Sequence, residues 1–316
     1  KWADAYLVAP ATANVIGKLA AGIADDMLTT QLMATKAPIF LCPAMNTNMY
    51  ENPITQRNMQ TLRDLGFHIL EAASGSLACG TSGIGRLPEP VDIVNWLSFH
   101  VGRTDLLADK TVIVTAGGTR EAIDPVRYIG NHSSGKMGYA VAAQAAMAGA
   151  RTILISAPTS LEVPYGVEYV PVDSAEAMKA AVDARYEEAD AVIMTAAVAD
   201  FKVENAASSK IKKMDTLDLH LVKNPDILKG LGERKTHQKL IGFAAETNDV
   251  IEYGKTKVLT KNLDMLVAND VSKKNIGFNA DDNEVTFIYP GGQIVNLPLM
   301  TKNDVAKRII SALAEL

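Results

Sequence analysis

Cysteine is nearly missing from this chain: Cys42 and Cys79 are the only two in 316 residues. That excludes a disulfide scaffold and points to a reducing compartment, with the cytoplasm as the default. Apolar runs approaching the roughly 20 residues needed to cross a bilayer are missing too, so no membrane partner is expected. A net charge of −5 excludes a general attraction to nucleic acid or to anionic membrane surfaces. Any anionic ligand must therefore be held by local basic clusters. There is no G-x-G-x-x-G fingerprint, which demotes a nicotinamide-dependent dehydrogenase. A methionine start is lacking as well. Lys1 stands inside what reads as a helix end running into a buried strand (WADAYLVA, residues 2–9), so sequence upstream is expected to be missing.

What is present is globular: 48% apolar and 21% charged residues, in a length suited to about two domains. The first hundred residues alternate strand and helix. Strands are expected at 6–9, 39–42 and 68–71, and helices at about 13–34, 53–65 and 91–99, which implies a parallel sheet with helices on its faces. Three strand ends carry unusual loops that should gather along one sheet edge: APATAN (9–14), PAMNTNMY (43–50) and GSLACGTSGIGR (75–86). In isolation Thr12 and Asn14 read as helix caps, and Cys42 as an inert buried thiol. Four glycines around Cys79 read instead as a mobile, close-approaching segment bearing one reactive group. Residues 98–109 read as a polar connector between domains.

The second part is organised around TVIVTAGGTREAIDPVRYIGNHSSGKMGYAVAAQAAMAGA. A β-branched strand (111–115) is followed by a long loop and then an alanine-rich helix (137–148) that ends at Gly149. The loop holds Thr119, Arg120, Arg127, Asn131, His132, Ser133, Ser134 and Lys136, a density of donors that suits an anion. Gly130-x4-Gly135-Lys136 falls short of a Walker motif, because Met137 stands where a magnesium-binding hydroxyl belongs and the strand ends too far upstream. A local anion site and a simple helix cap stay level here. Further strands are expected at 152–156, 167–171, 191–194, 241–247 and 266–270, a helix at 175–188, a hairpin around Pro290-Gly291-Gly292, and a final amphipathic helix over 302–316. Small residues in TAAVADF (195–201) let a planar ligand approach the backbone, with Asp200 open to a ribose, a base edge or a capping role. SKIKK (209–213) reads as a solvated lysine cluster or a triphosphate clamp. KNPD (223–226) opens a helix with an acidic cap, and Lys257 and Lys261, four apart, should share one helix face.

The three loops of the first part resemble those of the flavin-dependent cysteine decarboxylases that act on phosphopantothenoylcysteine. By that resemblance Thr12 and Asn14 lie against FMN, Asn46 holds the substrate carboxylate and Cys79 sits on a flap as the catalytic acid or reductant. The family's catalytic histidine and much of its flavin-phosphate site belong to a segment N-terminal to this sequence. His68, His100, His132, His220 and His237 all fall outside that motif, so poor FMN binding and no decarboxylation are expected of the chain. TAGGTREAIDPVRYIGNHSSGKMG, TAAVADF, KIKK, KNPDI, GFAAETN and VANDV resemble the phosphopantothenate–cysteine ligases. The combination resembles the bifunctional bacterial family of coenzyme A synthesis.

The implied architecture is α/β: part of a flavodoxin-like flavoprotein domain (1–100), then a Rossmann-like, doubly wound ligase domain (109–316). The implied reaction joins 4′-phosphopantothenate to L-cysteine through a CTP-derived acyl-cytidylate, with Mg²⁺ and lysines neutralising the phosphates. Lys210 is assigned to the α-phosphate and Lys257 and Lys261 to the nucleotide. Ala196, Asp200, Pro225, Asp226, Ile227, Leu228 and Phe243 are assigned to cytidine and ribose, and Asn131 and Arg127 to the acyl intermediate. No metal ligand is named. A homo-oligomer is implied, with ligase dimers, flavoprotein trimers and a possible dodecamer. A decarboxylase alone, or a non-enzymatic regulatory flavoprotein, are the competing readings.

Overall fold

The computed structural model describes residues 2–76, 80, 82–213, 215–246, 250–270 and 281–316. It divides into two compact units, Lys1–Gly102 and Arg103–Leu316.

In the first unit β1 (Tyr6–Ala11), β2 (Ile39–Pro43) and β3 (His68–Ile69) pair in parallel in that order. β2 is buried throughout, which is why it reads as a continuous apolar run. Its side chains alternate between two cores: Ile39 and Leu41 pack with Val8, Ile16, Leu19, Met59 and Leu62, whereas Phe40 and Cys42 meet Ile93 and Trp96. The helix expected over 13–34 is two, α1 (Ala13–Ala20) and α2 (Met27–Ala34). Gly22 breaks it with φ +70°, and Asp26 starts a new helix with a capping box, accepting the Thr29 N–H at 2.8 Å. PAMNTNMY folds partly into a single helical turn, α3 (Thr47–Tyr50), before α4 (Pro53–Asp64), which Asn52 caps with Pro53 in the first turn. The expected glycine loop is largely an antiparallel ribbon of β4 (Ala73–Ser76) and β5 (Ser82–Arg86). Cys79 lies outside the described residues. α5 (Pro90–Gly102) runs on past residue 99, so residues 98–102 of the expected connector are helical.

The second unit contains β6 (Thr111–Ala116), β7 (Arg120–Ala122), β8 (Tyr128–Gly130), α6 (Lys136–Met147), β9 (Arg151–Ser156), β10 (Val167–Pro171), α7 (Ala175–Asp183), β11 (Ala191–Met194), β12 (Phe201–Val203), β13 (Leu221–Lys223), α8 (Ile227–Glu233), β14 (Lys239–Glu246), α9 (Val250–Thr260), β15 (Met265–Asp270), β16 (Asp282–Ile288), β17 (Ile294–Thr301) and α10 (Lys302–Glu315). Among the described residues, eight strands form one sheet in the order β10-β9-β6-β11-β14-β15-β16-β17. Pairing is parallel from β10 to β15 and antiparallel over the last two strands. The chain leaves β6 in one direction to build β9 and β10, then returns to place β11 on the other side of β6. That reversal is the topological switch at which such sheets bind ligands.

The two sheet faces are separately packed. Val112, Val114, Leu154 and Ile193 meet α6 and α10 on one side, while Ile113, Ile153, Ile155 and Val192 meet α7 and α8 on the other. The helix expected over 175–188 stops at Asp183. A 3₁₀ turn (Tyr186–Glu188) follows, anchored by the fully buried Tyr186, whose hydroxyl donates to the Leu231 carbonyl at 3.1 Å.

Candidate functional site

At the switch, the segments that leave β6 and β11 are tied together. The Ala197 N–H donates to the Gly117 carbonyl at 2.8 Å, and the Thr119 N–H returns a bond to the Ala197 carbonyl at 3.2 Å. Gly117 needs to be glycine: its φ is +77°, and a Cβ there would press on the Ala157 carbonyl oxygen at 2.7 Å. Buried threonines fix the same corner. Thr119 Oγ1 accepts the Ala199 N–H at 2.9 Å, and Thr115 Oγ1 accepts the Ala196 N–H at 3.2 Å. Gly138 lets the first turn of α6 lie directly on Ala116 and Thr195. TAGGT and TAAVAD are thus one rigid rim.

That rim borders a cleft of about 540 Å³. It is lined by Ala196, Asp200, Phe243 and Lys257, by the run from Asn131 to Gly138, and by a basic end where Lys136, Lys302, Asn269 and Asn283 gather. Asn131 donates its side-chain amide to the Ala197 carbonyl at 3.1 Å, so its orientation is set by the rim. The basic end is formed by two helix starts. Lys136 and Lys302 are the first residues of α6 and α10, where helix dipoles add positive potential. Lys302 is buried, and burial, with Lys136 nearby, pushes its ammonium below the usual lysine range. Lys136 is paired at 2.7 Å with the exposed Asp281. The side-chain oxygen of Asn269 is buried without a hydrogen-bond partner. An anion at this end would answer the charge, whereas the Asn269 oxygen, an acceptor, calls for a hydroxyl or N–H of the ligand.

Of the residues singled out from sequence, Asn131, Ala196, Asp200, Phe243 and Lys257 line this cleft, as do His132, Ser133, Ser134 and Lys136 of the donor-rich loop; Arg127, Lys210, Asp226 and Lys261 are not among its lining residues. Ile227 and Leu228 have buried side chains in the second core, so any ligand they touch meets their backbone. Asp226 caps α8 and binds Lys261 at 2.8 Å. Lys261 lies one residue beyond the end of α9, but its N–H still donates to the Lys257 carbonyl at 3.0 Å and continues the last turn, while its ammonium is taken by Asp226. Pro225 is exposed, as is Lys210. The Arg127 guanidinium bonds Asp124 and, at 2.9 Å, the Ile211 carbonyl. Lys302, Asn269 and Asn283 had no role from sequence. The signal available for Asn269 was its place at the carboxyl end of β15; for Lys302 there was only its place at a helix start.

In the first unit the three loops do meet at one edge. The Ala44 N–H donates to the Ala11 carbonyl at 3.0 Å, and the Met45 N–H to the Gly85 carbonyl at 2.9 Å. Gly85, at φ +131°, touches this loop so closely that any Cβ would enter the Met45 carbonyl. Thr12 caps α1 by accepting the Val15 N–H at 3.3 Å, and Asn46 caps α3 by accepting the Asn48 N–H at 2.9 Å. Thr12 and Asn14 are exposed beside the small, exposed residues Ala9 and Pro10. Thr47 Oγ1 is buried there without a partner. Cys42 is the inert thiol expected, buried and pushed up to about 11 by burial.

Comparison with known proteins decides the family. Residues 1–101 match the Flavoprotein family, and residues 107–316 match the DNA/pantothenate metabolism flavoprotein C-terminal domain. The whole chain is 51% identical over 319 residues to the coenzyme A biosynthesis bifunctional protein CoaBC of Bacillus subtilis, of which it spans 79%. The chain belongs to the bifunctional coenzyme A biosynthesis family. The CoaBC protein of Escherichia coli K12 is 46% identical over 307 residues, covering 96% of this chain and 75% of that protein. A crystal structure of the C-terminal domain of a CoaBC protein superposes with a TM-score of 0.59 at 43% identity, over 67% of this chain and 97% of that one. Family membership makes the chain a coenzyme A biosynthesis enzyme with a flavoprotein unit and a mostly parallel α/β unit. Among the described residues no helix is long and apolar enough to cross a membrane, and no group of three or more His, Cys, Asp or Glu side chains is placed to hold a metal.

Proposed function

We propose that the second unit, taken as 109–316, joins 4′-phosphopantothenate to L-cysteine, and that CTP first activates the carboxylate as an acyl-cytidylate with release of pyrophosphate. The observation that carries this reading is a cleft lined by three lysines, Lys136, Lys257 and Lys302, at the topological switch of the sheet. A nucleotide and a phosphorylated acid need such a cleft, because their reacting groups are both anionic and must be brought together. Ala196, Asp200 and Phe243 then enclose cytidine and ribose, with the backbone of 225–228 beyond them. The Lys136–Lys302 end takes the phosphate monoester. Lys210, on an exposed segment, neutralises the α-phosphate, and Asn131 holds the acyl group for the incoming amine. Mg²⁺ fits as an ion carried chiefly by the triphosphate oxygens and water, its usual coordination where proteins offer few carboxylates.

The first unit, taken as 1–100, is read as part of the FMN-dependent decarboxylase that acts on the ligation product. FMN supplies the electron acceptor that makes loss of the carboxylate possible. Thr12 and Asn14 would border it, Asn46 would orient the substrate carboxylate, and Cys79 would supply the proton. The assembly is a cytoplasmic homo-oligomer built from ligase dimers and flavoprotein trimers. Pyrophosphate release is the test. It should require CTP, phosphopantothenate and the protein together, and cysteine should convert the accumulated acyl-cytidylate to product. Release that is independent of phosphopantothenate, or no release with all substrates present, overturns the ligase reading.

A further inference from the structure

Asp124 sits in the turn between β7 and β8, and its side chain has 0% exposure. One carboxylate oxygen accepts the N–H groups of Val126 and Arg127, both at 2.8 Å. The other accepts Arg127 Nε at 3.0 Å, a second bond from the same guanidinium, and the N–H of Ile211 at 3.1 Å. Arg127 in turn donates to the carbonyl of Ile211 at 2.9 Å. Both peptide groups of Ile211 are therefore gripped by one buried ion pair. A further rung lies upstream, where the Ala207 N–H donates to the Ile123 carbonyl at 2.9 Å.

Ile211 is the half-buried residue between the exposed Lys210 and Lys212, in a stretch with no helix or strand of its own. We propose that Asp124 is a positioning residue for ligation: through Arg127 it mounts the 207–211 backbone so that Lys210 is presented at a fixed place. This rests on the role of Lys210 given above. It also reassigns Arg127, from a contact with the acyl intermediate to one half of the mount.

The chemistry requires a carboxylate. All the groups that converge on it are donors, so an amide in its place would turn an NH₂ toward the Arg127 guanidinium or a backbone N–H. The guanidinium holds the Asp124 carboxyl well below the usual carboxylate range, and the charge-assisted bonds persist wherever the enzyme is active. A lysine on an untethered loop would have to be ordered at each turnover. One on a mounted segment is already in place.

Asp124→Asn in the full chain tests this. Without any nucleotide, hydrogen exchange at 207–211 should accelerate, as should tryptic cleavage after Lys210 and Lys212, with protection of α6 and β6 unchanged. CTP-dependent pyrophosphate release should fall roughly 10²-fold, the scale of a misplaced catalytic group. Asp124→Asn combined with Lys210→Gln should be no slower than Lys210→Gln alone, because both remove the same function. Losses that multiply would mean Asp124 acts elsewhere, and unchanged exchange at 207–211 would overturn the mount. Parental release in Lys210→Gln alone overturns the lysine's role and any positioning through it. A slow Lys210→Gln beside a parental Asp124→Asn overturns the positioning only. If Asp124→Asn does not fold, Arg127→Lys, which keeps a cation beside Asp124 but loses the guanidinium fork that also reaches the Ile211 carbonyl, should loosen the same segment, and unchanged exchange at 207–211 there refutes the proposal.

Discussion

Lys210 and Asn131 are expected to act at successive steps, since one neutralises phosphate charge and the other holds an acyl group already formed. Lys210→Gln should slow acyl-cytidylate formation by roughly 10² to 10³. Asn131→Ala should let the acyl-cytidylate form but hinder its transfer to cysteine. Rapid quench of labelled CTP, with and without cysteine, reads both steps, and equal loss of the first step in the two variants would refute the division. Gly138 bears on the scaffold beneath them. A Cβ there would collide with Thr195 and Ala116, so Gly138→Val should destabilise by about 1–3 kcal/mol through overpacking, seen as a lower denaturation midpoint at unchanged slope. At this scale the sequence placed Asp200 and Asn131, in loops next to strands, and Phe243, within β14, at the cleft they line. It was silent on Lys302, which reaches the cleft only because α10 packs on α6, and on the pairing of Arg127 with Asp124 and the Ile211 carbonyl, which depends on a segment 84 residues away.

Buried strands were the readable elements. β6, β9 and β11 are covered on both faces, so each is a run of β-branched or aliphatic residues bounded by turns. The ribbons β7–β8 and β12–β13 were not, because three-residue strands hold only through pairing with each other, as Arg120 with Gly130 and Phe201 with Lys223. The packing of β3 against α5 carries a pH dependence. His68 stacks on Phe40 at 4.6 Å, with Trp96 edge-on to Phe40 and the His100 ring 5.0 Å from His68. Burial, then the neighbouring His100, lowers the His68 pKa from 6.5. The folded chain therefore binds fewer protons here than the unfolded chain. Stability should fall as pH drops below about 6.5 and level off once His68 is protonated in the fold. Melting between pH 7.5 and 5.5 should show a shallower loss for His68→Gln than for the parent; identical slopes would remove His68 as a cause.

The molecule carries four core clusters among its described residues, two in each unit and none shared between them. Calorimetry should accordingly resolve two transitions, with CTP raising the temperature of one, since a ligand stabilises only the cooperative unit that binds it. Cys79→Ser should leave ligation unchanged; a tenfold loss, about 1.4 kcal/mol of barrier, would mean that the two reactions share a site. The alternation of strands and helices made this division legible in sequence, whereas the reversal of strand order at β6 had no signature beyond the small residues that line it. The ends of that sheet have a different consequence. β10 and β17 are its edge strands, and each contains a proline, Pro171 and Pro298, the latter where the pairing with β16 slips register. A proline offers no N–H, so neither rim is a complete template for a strand from another copy. In a crowded solution this chain is thereby protected against growing edge to edge into fibrils, and its ordered self-association is left to helices and loops.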